Sequence, residues 1–177
     1  NAATYGTTGE CSWSVSGSTL TISGTGAMGS YKDLPVRDQA PWGQSITSVI
    51  INEGVTSIGA YAFYDADKLL SVSLPESLTS IGYSAFYGCT SLVSIDIPKN
   101  VDTIGTTAFY NCIKLSDINL KDSAIQIYKN AFFNTSFYNN ASNWNEGLLC
   151  IGKHLIKAQA DVSGEIILSE GTLDIAA

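Results

Sequence analysis

The chain has 177 residues, of which 45% are hydrophobic, and its formal net charge is -7. This length and apolar content suffice for one sizeable core, so we expect one continuous domain. The negative charge argues against nucleic acid and anionic membrane surfaces as partners, because both favour basic patches. No apolar run is long enough to cross a bilayer, so no membrane insertion is expected. The first residues lack the basic and apolar regions of a signal peptide, so we expect that any secretion signal is either outside this sequence or has been removed.

The amino-terminal part predicts a β-hairpin followed by irregular chain. Residues 11–23 alternate between apolar and polar on both sides of Gly17. In this hairpin Trp13 and Val15 would share a face with Leu20 and Ile22. The segment Gly24–Gly29 is too rich in glycine for a regular element, and residues 32–41 contain two prolines and mixed charge, which is typical of an extended loop.

An internal repeat dominates the centre of the chain. Four phenylalanines follow one another at a constant step of 23 residues: Phe63, Phe86, Phe109 and Phe132. The same step relates an earlier isoleucine in each unit: Ile58, Ile81, Ile104 and Ile127. Spaced apolar residues behind the first three phenylalanines predict a short strand with one buried face: Leu69, Val72, Leu74; Leu92, Ile95, Ile97; Leu115, Ile118, Leu120. The fixed step predicts a solenoid whose units share one core, with the phenylalanines stacked as a ladder inside it.

Each unit carries the same turn signals. Residues 46–51 form the strand of a first, partial unit, and full units begin at Val55, Leu78 and Val101. We expect a single helical turn around the Ala-Phe pair. The glycine after the isoleucine suits a tight bend and recurs in three units: Gly59, Gly82 and Gly105.

Residues 78–98 resemble the BspA-like, treponemal-type leucine-rich repeat almost position for position, and the resemblance covers residues 46–137. It implies a right-handed leucine-rich-repeat solenoid of the α/β type, built mostly of short strands and turns. In that family a segment similar to the TLTISGTGAM run and the Pro41-Trp42 pair precedes the repeats. Residues 1–45 are therefore assigned to a cap, because the first coil of a solenoid exposes an apolar end. The resemblance also implies a secreted or surface-attached bacterial protein that adheres to host matrix proteins or other cells.

The repeat region, residues 46–177, is interrupted near its end. The fourth unit has Tyr128 in place of the glycine and loses its strand, since Tyr138, Ala141 and Asn143 would take the buried positions. We expect a loop over residues 134–145 and a second hairpin around Gly152, within an insertion at about 134–160 that is similar to insertions in the same family. The pattern resumes at Ile166, Leu168 and Ile175, and the last unit is incomplete. Two explanations are open: the parent protein continues beyond residue 177, or a partner covers this end. We favour the first.

The cysteines indicate packing rather than chemistry. Cys89 and Cys112 occupy one repeat position, which holds Ala66 and Thr135 in the other units. Such a position is best interpreted as a small buried slot rather than as a disulfide or metal site. Whether Cys11 and Cys150 pair is left open, because they lie far apart and outside the regular units.

The sequence offers no convincing catalytic group. The acids are spread over separate coils: Glu53, Glu76, Asp96, Asp117 and Glu165. Asp96 and Asp117 should both point outward on adjacent strands. They are two residues out of register, so we expect them to lie diagonally rather than side by side. His154, the only histidine, is expected to be an exposed strand residue. We expect no catalytic residues, no metal site and no cofactor.

The candidate binding residues are the small polar side chains that point outward from the predicted strands: Ser71, Ser73, Ser94, Asp96, Asp117 and Asn119. This set lacks the Trp, Tyr and Arg residues that dominate strong interfaces. Aromatic residues lie around the outer turns instead: Tyr61, Tyr64, Tyr83, Tyr87 and Tyr110. Three more lie in the irregular segment: Phe137, Tyr138 and Trp144. These three are the better hot-spot candidates, although they would also serve to cover the break in the solenoid.

Three functions compete on this basis. The first is a non-catalytic, extracellular adhesion module that binds a host protein or glycan, as a monomer. The second is a passive spacer that carries another domain. The third, and least favoured, is a glycan hydrolase, which would need two carboxylates held in a pocket.

Overall fold

The computed structural model describes residues 4–32, 40–121, 125–145, 147–152 and 154–158. The amino-terminal strands are β1 (Tyr5–Thr8), β2 (Cys11–Ser16), β3 (Thr19–Gly24) and β4 (Gly26–Ala27). The repeat strands are β5 (Ser48–Ile51), β6 (Val55–Ile58), β7 (Ser71–Ser73), β8 (Ser80–Ile81), β9 (Ser94–Ile97), β10 (Thr103–Ile104), β11 (Asp117–Leu120) and β12 (Gln126–Ile127). The helix α1 (Ser136–Asn139), a 3-10 turn (Ala141–Asn143) and the strands β13 (Trp144–Asn145), β14 (Leu148–Ile151) and β15 (His154–Ala158) complete the described chain.

The predicted solenoid is confirmed by the strand pairing. Strands of successive units are parallel and shifted by one repeat, so that Asp117 of β11 lies opposite Ser94 of β9. Each full coil contributes two strands rather than the single one expected. The second strand is short, and it joins the five-stranded column β4-β6-β8-β10-β12. The hydrophobic pattern missed these short strands because only one or two of their residues point into the core.

The phenylalanine ladder is also confirmed. Its four rings are at most 2% exposed. Adjacent ring centroids are 4.9, 5.1 and 5.3 Å apart from Phe63 to Phe132, and the planes differ by 18° or less. Trp42 closes the amino-terminal end, with its ring 5.6 Å from that of Phe63 and 6.0 Å from that of Trp13. A continuous column of aromatic rings therefore runs through the core, with aliphatic side chains packed around it.

Each repeated glycine begins a tight turn, as when Ala85 N donates to Gly82 O at 3.2 Å, and it also lies against the neighbouring coil. None of Gly59, Gly82 and Gly105 has a left-handed φ. A Cβ on Gly82 would lie 2.8 Å from the Ala60 nitrogen and the Ile58 oxygen, and one on Gly105 would lie 2.8 Å from Gly82 carbon. Real Cβ atoms do not approach backbone so closely, so these positions need glycine because two coils touch there.

The predicted helical turn around each Ala-Phe pair is wrong. Two residues in each turn region have a left-handed backbone conformation, which a helix does not contain. They form two sets of equivalent positions, and both sets include residues other than glycine. The first set has φ between 48° and 57°: Tyr61, Ser84, Thr107 and Asn130. The backbone instead bonds to the next coil, as when Phe63 N donates to Ala85 O at 2.7 Å and Asp65 N to Tyr87 O at 2.7 Å. These inter-coil bonds make the turn side of the solenoid part of the stack.

The amino-terminal hairpin is confirmed, with Trp13 opposite Ile22. It has a third strand, β1, which the sequence did not predict. Strand β3 pairs in parallel with β5, placing Leu20 opposite Val49. The glycine-rich segment, expected to be irregular, contains β4, which pairs in parallel with β6. The segment assigned to the cap therefore includes a diverged coil that extends both strand columns.

The break in the fourth unit is confirmed, but part of the segment expected to be a loop is helical. Residues 136–143 form α1 and a 3-10 turn, and Thr135 caps the helix by accepting from Tyr138 N at 3.0 Å. The second hairpin is confirmed as β14 and β15, paired antiparallel. His154 is only 2% exposed, so its predicted exposure is wrong. The pattern expected at Ile166, Leu168 and Ile175 lies outside the described residues.

The small buried slot is confirmed. Cys89 and Cys112 are fully buried, and their thiols donate to Phe63 O at 3.2 Å and Phe86 O at 3.1 Å. Burial raises the pKa of the Cys89 thiol well above its usual value, so the group stays protonated. All four cysteines of the chain fall within the described residues, and each is free, including Cys11 and Cys150.

Candidate binding surfaces

The strand face is the outward side of β7, β9 and β11. The six polar residues predicted there are all exposed: Ser71, Ser73, Ser94, Asp96, Asp117 and Asn119. Neighbouring coils interact across this face, because Ser71 Oγ donates to Ser48 Oγ at 3.1 Å and Asn119 Nδ2 donates to Asp96 Oδ1 at 3.1 Å. The face is an array of small polar groups, and these two hydrogen bonds link neighbouring coils.

The two strand-face acids are diagonal, as the sequence predicts. Asp117 lies opposite Ser94, and Asp96 lies opposite Asn119. Both carboxylates are exposed on the outward face of the strands. Within the described part of the chain, no group of three His, Cys, Asp or Glu residues is placed to hold a metal ion.

The described cavities are also poor catalytic sites. A cavity of about 30 Å³ lies between Trp42, Tyr61 and Phe63, and a space of this size holds a water molecule but no substrate. A wider depression is lined by Gln44, Ser45, Asp65, Asp67 and Lys68. Its two carboxylates are exposed, so no enclosed acid–base pair forms there.

The irregular segment packs its predicted aromatic residues against the core. Phe137, Tyr138 and Trp144 are partly buried. Phe137 N donates to Leu115 O at 2.8 Å, and the Trp144 indole donates from Nε1 to Tyr138 O at 2.8 Å. Burial raises the pKa of Tyr138. These contacts show that the three residues cover the break, and Tyr138 and Trp144 also join a larger surface.

That surface is an aromatic ridge formed by Tyr64, Tyr87, Tyr110, Phe133, Tyr138 and Trp144. The first four rings are stacked, with centroids 4.8, 4.9 and 5.3 Å apart. The ridge then continues to Tyr138 and Trp144, with centroid distances of 5.0 and 5.4 Å, while the ring planes turn by 57° and 87°. The three tyrosines Tyr64, Tyr87 and Tyr110 are half-buried, and Phe133 is 38% exposed.

The predicted binding residues do not include the four stacked rings of the ridge. Its signal is present in the sequence, because the residue after each core phenylalanine is aromatic in all four units. Tyr64, Tyr87 and Tyr110 are expected around the outer turns, yet the sequence alone does not show that they touch. Their stacking follows from the repeat: equivalent residues of adjacent coils lie about one strand spacing apart, roughly 4.8 Å.

A second polar column runs beside the ridge. The residue after each of the four stacked ridge rings has a left-handed backbone conformation: Asp65, Gly88, Asn111 and Asn134. Asn134 Nδ2 donates to Asn111 Oδ1 at 2.7 Å, and Asn139 Nδ2 donates to Asn134 Oδ1 at 2.8 Å. Asparagine suits this position because it tolerates a left-handed backbone better than most residues. Asn111, Asn134 and Asn139 thus form a short chain of carboxamides beside the last two stacked rings.

One ion pair joins distant coils on the surface. Lys121 Nζ lies 2.9 Å from Glu76 Oε1, and both side chains are about half exposed. The hydrogen bond from Lys121 lowers the pKa of Glu76, and the same bond raises the pKa of Lys121. A carboxyl with a lowered folded pKa stabilises the fold above its unfolded pKa, and this contribution is lost as the pH falls through the folded value. Exposure to solvent keeps such a contribution small.

Replacing Lys121 by methionine should therefore raise the pKa of Glu76 toward its usual value and leave the thermal midpoint at neutral pH almost unchanged. The titration of the Glu76 carboxyl carbon, followed by NMR, measures this shift. Lys114→Met is the control, since Lys114 is exposed and makes no described ion pair with Glu76. A Glu76 titration that does not move in Lys121→Met would contradict the assignment.

Comparison with known proteins gives the family. The model of the BspA type leucine-rich repeat region matches residues 37–155 with six copies. A solved leucine-rich repeat protein of T. pallidum is 25% identical, with a TM-score of 0.47 and coverage of 67% of this chain and 61% of that chain. One from Eubacterium ventriosum is 21% identical, with a TM-score of 0.49 and coverage of 87% and 48%. None of the curated proteins matches this chain.

A further solved structure, a leucine-rich cell surface protein from Faecalibacterium prausnitzii, is 21% identical, with a TM-score of 0.42 and coverage of 76% of this chain and 47% of that chain. The chain thus spans between 47% and 61% of the length of these three solved chains. Among the described residues, no helix has the length and apolar character to span a bilayer. The family match extends over more than half of the 177 residues, and the stacked coils agree with it. The chain belongs to the BspA type leucine-rich repeat family.

Proposed function

We propose that this chain is a non-catalytic binding module that acts outside a bacterial cell and attaches it to a host protein or glycan. The aromatic ridge is the observation that carries the proposal. It presents four stacked rings and two turned ones on a backbone that inter-coil hydrogen bonds hold in place. A surface that is already ordered loses little entropy on binding.

Two other features support the assignment. Aromatic side chains are enriched among the residues that dominate interfaces, and tyrosine combines an apolar ring with a hydroxyl group. The family resemblance supplies the expected location, at the surface or secreted. We propose that the module works as a monomer, because its net charge of -7 disfavours contact between copies.

Exchanging both Tyr87 and Tyr110 for alanine should abolish most binding, since it removes the two central rings of the ridge. Binding is measured with the intact chain on a glycan array and on a panel of immobilised matrix proteins. Tyr128→Ala is the matched control, because Tyr128 is a 43% exposed tyrosine outside the ridge. Circular dichroism checks that each variant is folded.

The strand face is tested with Asp96→Ala combined with Asp117→Ala. Loss of binding in this variant, with the ridge variant unaffected, would transfer the site from the ridge to the strand face and overturn the ridge assignment. If the intact chain binds neither the glycan array nor the immobilised matrix proteins, the adhesion proposal fails. The spacer function would then be favoured, because the strand face has no large anchors.

A further inference from the structure

The ridge and the polar column beside it have a composition that restricts the ligand. The four stacked ridge positions and the residue after each make eight positions, and only Asp65 among them is charged. No arginine or lysine stands there to pair with an acidic polymer. Phenol hydroxyls and carboxamides remain, and these are hydrogen-bonding groups suited to a neutral polar ligand.

The stacking also decides which part of each ring a ligand can reach. The planes of Tyr64, Tyr87 and Tyr110 differ by 16° or less, and their centroids are 4.8 and 4.9 Å apart. The ring faces between neighbours are therefore covered, so a ligand reaches the half-buried tyrosines mainly at their edges. Protein anchors usually fill desolvated pockets. The stacked part of the ridge has no gap between rings for such an anchor.

The distance between successive rings of the ridge also restricts the ligand. The rings occupy equivalent positions in successive coils, so their hydroxyls repeat along the solenoid axis with the same step of about 5 Å as the strand spacing. An extended chain of β-linked hexoses advances by roughly this distance per sugar, and it carries hydroxyls along its edges. One sugar per coil would thus meet one tyrosine hydroxyl or one carboxamide.

We infer that the aromatic ridge binds a linear, neutral polysaccharide of β-linked hexoses that lies along the solenoid axis. This inference rests on the proposed binding function and names its ligand class. The sugar hydroxyls bond to the phenols of Tyr64, Tyr87 and Tyr110 and to the amides of Asn111 and Asn134. Phe133 keeps the apolar contact without a hydroxyl, and the turned rings of Tyr138 and Trp144 end the stacked part of the ridge.

The test is calorimetric titration of the intact chain with β-linked glucose oligosaccharides of two to six sugars. The affinity should rise with length until the stacked coils are filled. Tyr87→Phe and Tyr110→Phe keep the ring stack and remove one hydroxyl each. Each change should weaken binding of the longest oligosaccharide about fivefold, the equivalent of one net hydrogen bond. Tyr128→Phe, the same chemical change off the ridge, should leave the affinity unchanged.

An acidic oligosaccharide of uronic acids with the same length should bind more weakly, because the chain is negative and the ridge has no base. The inference is overturned if affinity does not depend on length, or if the phenylalanine variants bind the longest oligosaccharide as well as the original chain. If matrix proteins bind while every oligosaccharide fails, the binding function stands and the polysaccharide inference is wrong.

Discussion

Replacing Phe86 by alanine should lower the free energy of unfolding by about 3–5 kcal/mol. Phe86 is fully buried, and its ring lies between those of Phe63 and Phe109, at 4.9 and 5.1 Å. The substitution leaves a cavity in the middle of the ladder. Each coil of a solenoid is stabilised mainly by its neighbours, so the loss also weakens the coupling between the two halves. Urea unfolding followed by circular dichroism measures the change.

Phe133→Ala is the control for this result. Phe133 follows the core phenylalanine of its unit, stacks in the ridge and is 38% exposed. Its loss should cost about 1 kcal/mol or less, because surface changes away from the core are small. If Phe86→Ala costs no more than Phe133→Ala, the ladder does not hold the coils together.

Gly82→Ala should have the second largest effect, a loss of about 1–3 kcal/mol from overpacking. The new methyl group would lie 2.8 Å from Ala60 N and from Ile58 O. Both are backbone atoms of the preceding coil, so relief requires that two coils move apart. Hydrogen exchange should then quicken at Gly82 N, which donates to Ile58 O at 2.9 Å.

The control is the reverse exchange at the same repeat position in the fourth unit, Tyr128→Gly. The Tyr128 side chain is 43% exposed, so removing it should change stability by about 1 kcal/mol or less. Thermal unfolding compares the two variants directly. Equal thermal midpoints for Gly82→Ala and the original chain would show that the coils have room at Gly82, contrary to the geometry.

Particular residues show which features of the fold can be predicted from the sequence. The spacing of Phe63, Phe86, Phe109 and Phe132 was enough to predict the stacked core, because a constant step in the chain becomes a constant step along the axis. The strand-face positions of Ser94 and Asp96 followed from alternation in one strand. The burial of His154 did not follow, because it depends on how the second hairpin packs.

The sequence by itself determined the solenoid, its repeat length, the ladder and the position of the break, since all of these are periodic patterns or interruptions of them. Only the tertiary structure decided that β4 joins the short-strand column, that the glycines let neighbouring coils touch and that Tyr64, Tyr87 and Tyr110 form one surface. These features arise from backbone hydrogen bonds and contacts between coils, and such contacts depend on distances in space that a repeated residue type does not state.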